Sequence, residues 1–127
     1  MSLRQWHAGM PIISWSIRET REHLREGMSN REIIRTETVL VRIMELAKGA
    51  TTEWHHHTDV SDYFVCLTGV VRVEAMNPDE TVILHPGQRA EIRPPRIHQV
   101  VNHHDDKSEY LLIQGVGSYD FVTYDPT

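Results

Sequence analysis

Three histidines and one aspartate are spaced so that they could share a divalent ion: His55, His57, Asp62 and His98. In an extended strand alternate side chains leave the same face, so His55 and His57 project together and His56 to the other side. Two imidazoles on one face form half of a first-row transition-metal site. Asp62 follows a short turn, where a carboxylate on the next strand could close the set across a hairpin. Its competing role is that of a turn residue capping the hairpin. His98 opens another expected strand far along the chain and could be the fourth ligand, against the alternative of a hydrogen-bonded core histidine. Neutral imidazoles and one carboxylate leave coordination positions open on Fe(II), Mn(II), Ni(II) or Zn(II). On iron an open position permits O2 activation; on any of these ions it permits Lewis-acid polarisation of a carbonyl.

The elements that must position these groups read as strands. From Thr36 onward, runs rich in β-branched and aromatic residues alternate with Gly, Pro and Asn punctuation: Thr36–Leu46, Asp62–Leu67, Val70–Met76, Thr81–Leu84, Ala90–Ile92, Ile97–Val101, Tyr110–Gln114 and a short Phe121–Tyr124. Short strands at this even spacing predict an all-β sandwich or closed barrel. The first 35 residues differ. Ile17–Glu26 has helical composition with Gly27 as a candidate C-cap, but only Ile17 and Leu24 are apolar in it. It is expected to be a surface turn of helix or an irregular extension, 1–35, packed on a barrel formed by 36–127.

The spacing of the candidate ligands resembles the cupin superfamily. Its first motif runs Gly, five residues, His-x-His, three or four residues, Glu, six residues, Gly; here Gly49, His55, His57, position 62 and Gly69 fall in register. Its second runs Gly, five residues, Pro-x-Gly, two residues, His, three residues, Asn; Gly87, His98 and Asn102 match. The resemblance covers about Thr36 to Val122. It implies a double-stranded β-helix, or jelly-roll barrel, with one divalent metal inside near a mouth, and it carries the ligand role onto His55, His57 and His98 directly and onto Asp62 by position. Two departures stand out. Aspartate replaces the usual glutamate at Asp62, and Arg93-Pro94-Pro95 replaces Pro-x-Gly, keeping a rigid turn but losing glycine's freedom in φ. Asp59 is a weaker carboxylate candidate because it breaks the glycine register.

Other residues read as follows. Phe64 and Cys66 share the inward face with Asp62; Phe64 is expected to wall the pocket, and Cys66 is a pocket candidate that is more simply a buried structural thiol. Arg42 lies on an apolar face with Leu40 and Met44, so it needs a carboxylate partner or, in a cupin barrel, a substrate carboxylate. Trp54 is either a rim aromatic or part of a dimer contact. His56, His103 and His104 are expected at the surface. Lyase or isomerase chemistry needs a general base, for which Tyr63 and Tyr110 are unplaced candidates.

Bulk properties bound the rest. A chain of 127 residues is one domain. A net charge of −5, with the arginines of 18–35 interleaved among glutamates, argues against a nucleic-acid partner. No apolar run is long enough to span a bilayer, and the N-terminus lacks a secretory leader pattern. No helix-turn-helix precedes the barrel, which argues against a DNA-binding regulator. A single cysteine excludes an internal disulfide and fits a cytoplasmic protein. Three functions compete. The first is a metal-dependent enzyme on a small polar or carboxylate-bearing substrate, of dioxygenase, isomerase or lyase type. The second is a non-catalytic module that binds or senses a small ligand, with the metal structural or absent. The third is a barrel that only dimerises; a homodimer is expected with either of the others.

Overall fold

The computed structural model describes residues 24–124. The expected helix over 17–26 lies, except for its last residues, outside that range. Among the described residues there is no helix; 24–27 end in a turn closed by the Met28 N–H on the Arg25 carbonyl at 3.1 Å.

Ten strands follow: β1 Met28–Arg35, β2 Val39–Leu46, β3 His55–His56, β4 Ser61–Thr68, β5 Val71–Ala75, β6 Glu80–Leu84, β7 Arg89–Ile92, β8 His98–Asn102, β9 Ser108–Gly115 and β10 Val122–Thr123. They form two five-stranded sheets, ordered β1-β2-β9-β4-β7 and β10-β3-β8-β5-β6. Every pairing is antiparallel. This is the double-stranded β-helix architecture. Strand β1 is hydrogen-bonded to β2 from Met28↔Leu46 to Arg35↔Leu40, so the first sheet begins ahead of the expected boundary at Thr36. The sequence hid it because its eight residues, MSNREIIR, alternate poorly and bury little.

Period-two burial explains the interior. In β2 the inward set is Leu40, Arg42, Met44 and Leu46; in β4 it is Asp62, Phe64 and Cys66; in β9 it is Ser108, Tyr110, Leu112 and Gln114. Register then sorts the interior into layers. Asp62 stands beside Gln114, Phe64 beside Leu112, and Cys66 beside Tyr110. On the facing sheet His98 lies between His55 and Ala75, with Val100 beside Val73 in the next layer and Asn102 beside Val71 beyond. One end of the barrel is therefore polar and the middle apolar. Burying a side chain such as Phe64, 1% exposed, contributes on the order of 2–3 kcal/mol.

The opposite end is closed by a second polar group. Asn102 donates to the carbonyls of Leu46, Ala47 and Asp106 and accepts from Ser108 Oγ and the His104 N–H. Gly69 approaches this cluster at φ +75°, and a Cβ there would collide with the Ser108 side chain. That contact explains why the turn between β4 and β5 needs glycine.

Candidate metal centre

Local geometry carries each candidate ligand to the polar end. Strand β3 is two residues long: His55 points inward, His56 outward, and His57 turns inward again just after it. Asp62 is the second residue of β4, and His98, opening β8, lies opposite His55 in register. The four side chains are buried, with exposures of 5%, 2%, 2% and 1% for His55, His57, Asp62 and His98. One potential ligand atom from each lies within 4.8 Å of all the others.

Hydrogen bonding fixes which ring nitrogens face the centre. The Nδ1 atoms of His55, His57 and His98 lie 2.7, 2.6 and 2.8 Å from the carbonyls of Glu53, Asp120 and Arg96. A carbonyl only accepts, so each Nδ1 carries the proton and donates it. The Nε2 atoms are left with lone pairs directed inward, the arrangement that prepares an imidazole for a cation. Asp62 Oδ2 lies 3.1 Å from His57 Nε2 and 2.9 Å from His98 Nε2. Acceptors therefore converge from four sides, and protons on Nε2 or a cation would satisfy Asp62 Oδ2 and the inward lone pairs of His55 and His98. Burial holds the His55 pKa down at about 3, with His98 and His57 adding to the effect, so this ring stays neutral. Burial alone would raise the Asp62 carboxyl; the contacts of His57 and His98 outweigh it and hold the group well below the ordinary carboxylate range. A neutral imidazole beside an ionised carboxylate suits a divalent ion. The residues present fit the metal that the resemblance implies.

The remaining walls come from three places. Gln114 donates from Nε2 to Asp62 Oδ1 at 2.9 Å and accepts from Arg42 Nη2 at 2.6 Å. Phe64 meets His98 edge-on at 6.1 Å between ring centres. A strap after β9 brings Phe121 flat against His55, at 4.3 Å and 17°, and Tyr119 to 5.6 Å from His57. The Arg42 guanidinium lies 5.4 Å from the Tyr119 ring centre. The strap is tied down by the Thr58 N–H and hydroxyl on the two Asp120 carboxylate oxygens, at 2.9 and 2.6 Å, and by the Ser118 N–H on Asp59 at 2.7 Å. The enclosed cavity is about 20 Å³, about one water's worth of space.

His55, His57, Asp62 and His98 thus come together, and Arg42 and Phe64 line the same cavity. Cys66 does not line it. Its Sγ lies two layers from Asp62, 3.7 and 3.6 Å from the Thr68 and Gly69 carbonyls, and burial pushes the thiol pKa up, which suits an inert thiol. Tyr110 lines the cavity, whereas Tyr63 faces outward at 40% exposure. Asp59 serves the strap, and His103 is exposed beside Arg72. Sequence reasoning missed Gln114, Tyr119, Phe121 and Glu53. Gln114 carried a signal, being polar on the inward face of a strand that otherwise buries Tyr110 and Leu112.

Comparison with known structures agrees with this architecture. The chain matches an uncharacterised conserved protein with a double-stranded β-helix domain from Klebsiella pneumoniae at a TM-score of 0.70 and 16% identity, covering 86% of this chain and 94% of that one. A sugar phosphate isomerase of the cupin superfamily from Silicibacter pomeroyi matches at 0.63 and 16%, covering 80% of each chain. An oxalate oxidase in complex with glycolate matches at 0.69 and 15%, covering 79% of this chain; the chain spans only 56% of that protein's length. At these identities the likeness is one of fold. A search of curated proteins gives no sequence match. The family model for the cupin domain matches residues 42–114, more than half of the chain. The chain belongs to the cupin family.

Proposed function

We propose that this cupin binds one first-row divalent ion through His55, His57, Asp62 and His98 and acts on a small carboxylate-bearing molecule. The observation that carries the reading is the set of three Nδ1–H donors locked onto backbone carbonyls, which leaves three Nε2 lone pairs facing one ionised carboxylate. The bound ion would supply Lewis acidity or, as iron, O2 chemistry. The chain's own residues do the rest. Arg42 places a buried positive charge in the cavity wall, which favours an anion there. Phe64 and Phe121 exclude water and so strengthen every charge interaction inside. Glu53 also lines the cavity, and its Oε1 is buried without a hydrogen-bond partner among the described residues. That carboxylate is a candidate proton acceptor for lyase or isomerase chemistry. The fold relatives include an oxalate oxidase seen with glycolate and an oxalate decarboxylase in a formate complex. Small carboxylates are therefore the first compounds to try.

The cavity of about 20 Å³ supports a second reading, a non-catalytic cupin that holds its ion and a very small ligand. Metal analysis of protein purified without chelator, followed by oxygen uptake and product analysis with oxalate, glycolate and formate, separates the two. Bound metal with oxygen uptake supports a dioxygenase or oxidase; bound metal with conversion but no uptake supports a lyase or isomerase. Bound metal with neither supports the second reading, and failure to bind metal sinks the enzyme reading and leaves a metal-free ligand-binding barrel. The reading also places the protein in the cytoplasm, on its single free thiol, and as a homodimer, on the exposed Ile33 and Ile34 of edge strand β1.

A further inference from the structure

Asp62 has two carboxylate oxygens, and the structure gives them different work. Oδ2 faces His57 and His98, while Oδ1 accepts the Gln114 amide at 2.9 Å. An amide can present either end to a neighbour, and its orientation follows from the partners around it. Here the choice is forced. Arg42 has only donors and lies 2.6 Å from the Gln114 oxygen, so the NH2 group must face Asp62. The second N–H of that group points toward His57 Nε2, 3.3 Å away. Gln114 and Arg42 are both fully buried, at 2% and 1% exposure, so water does not compete for these bonds.

We propose that Gln114, oriented by Arg42, is the positioning residue of the metal centre: it holds Asp62 Oδ1 so that Oδ2 alone is presented to the ion. The inference rests on the metal reading above. It also accounts for a shortened acid at position 62. The Asp62 side chain cannot be steered by its own length, and the longer Gln114 reaches across from the neighbouring strand, directly opposite in register, to set its angle. Together the two side chains span a fixed distance, with the extra methylene on the amide rather than on the acid.

Length is therefore the variable to test. Co(II) is the probe, because its visible spectrum reports coordination geometry independently of any turnover. Gln114→Asn withdraws the amide by one methylene and is expected to weaken Co(II) binding about 10- to 100-fold, the range for lost partners of metal ligands, and to alter the spectrum. Adding Asp62→Glu to Gln114→Asn returns the methylene from the other side and is expected to recover most of the affinity and the wild-type spectrum. Because the added methylene also refills the vacated space, the rescue is read beside a variant of constant volume. Gln114→Met, which keeps the volume and deletes the hydrogen bonds to Arg42, Asp62 and His57, separates positioning from packing. If Gln114→Asn alone does not fold, Gln114→Met and the compensated double variant still give the comparison. Wild-type affinity and spectrum in both Gln114→Asn and Gln114→Met would overturn the positioning role while leaving the metal centre standing. Failure of the compensated double variant to improve on Gln114→Asn would overturn it as well. Absence of Co(II) binding by the wild-type protein would overturn the metal reading and this inference with it.

Discussion

His55 ties stability to pH in a way that can be calculated. Its ring is 5% exposed, stacked under Phe121, and donates from Nδ1 to the Glu53 carbonyl. Burial brings its pKa from 6.5 to about 3 in the folded protein, while the unfolded chain keeps the ordinary value. Between those values the unfolded chain binds a proton that the folded one refuses, so stability falls as pH falls. The contribution is intact above about pH 6.5 and fades toward pH 3, with a limiting slope of about 1.4 kcal/mol per pH unit. Integrated from pH 6 to pH 4, it amounts to about 2–3 kcal/mol, a large share of the roughly 5–15 kcal/mol typical of a domain. The perturbation is His55→Gln, which cannot titrate. The assay is urea unfolding of both proteins, with chelator present, at half-unit steps across that range. Groups remote from the centre titrate alike in both proteins and cancel in the difference, whereas His57, Asp62 and His98 are coupled to His55 and belong to the measured shift. The stability gap between wild type and variant should shift by about 2–3 kcal/mol against wild type between pH 6 and pH 4. A gap that stays constant, or moves the other way, would refute the argument that the ring is held neutral.

Other outcomes follow from the same geometry. His57→Ala should lower metal affinity by more than about 100-fold, since it removes a donor rather than a donor's partner, while the β signal by circular dichroism survives at room temperature. Asp62→Asn should weaken metal binding more than Asp62→Glu, because a neutral amide is the poorer donor to a dication while glutamate keeps the anion; equal affinity in Asp62→Asn and wild type would remove the carboxylate from the site. Asn102→Ala should cost about 3 kcal/mol in urea unfolding, because it strands buried polar groups around Leu46, Ala47 and Ser108. It lies at the far end of the barrel, so metal affinity in Asn102→Ala should match wild type.

Legibility in the sequence followed the strength of local patterns. Strands β2, β4, β5, β8 and β9 alternate cleanly between buried and outward residues, and each was readable with its inward face. The four candidate ligands were readable because two motifs fix their spacing along the chain. Strand β1 was not, since its pairing with β2 is sustained by backbone hydrogen bonds rather than by an apolar stripe. Tyr119 and Phe121 were not either. They reach the centre only because the strap folds back over β3, and that path depends on Asp120 finding Thr58 and Asp59 finding Ser118, contacts between segments about sixty residues apart. Arg42 was recognised as a cation that needed a partner, but the partner is an amide relaying it to a carboxylate, and no spacing rule announces such a relay.

The strap has a consequence for time rather than for affinity. On the metal reading, the route out of the centre is covered by Phe121 on His55 and by the Asp120 carbonyl on His57, and β3 has β10 along one edge. An ion would then leave only when these contacts part, and its residence would follow how often the strap opens. Release to a chelator then climbs with chelator concentration only until it reaches the opening rate, and levels off there. In that case the ion recovered with the protein would record which metal was at hand when the strap closed, more than which metal the donors prefer at equilibrium.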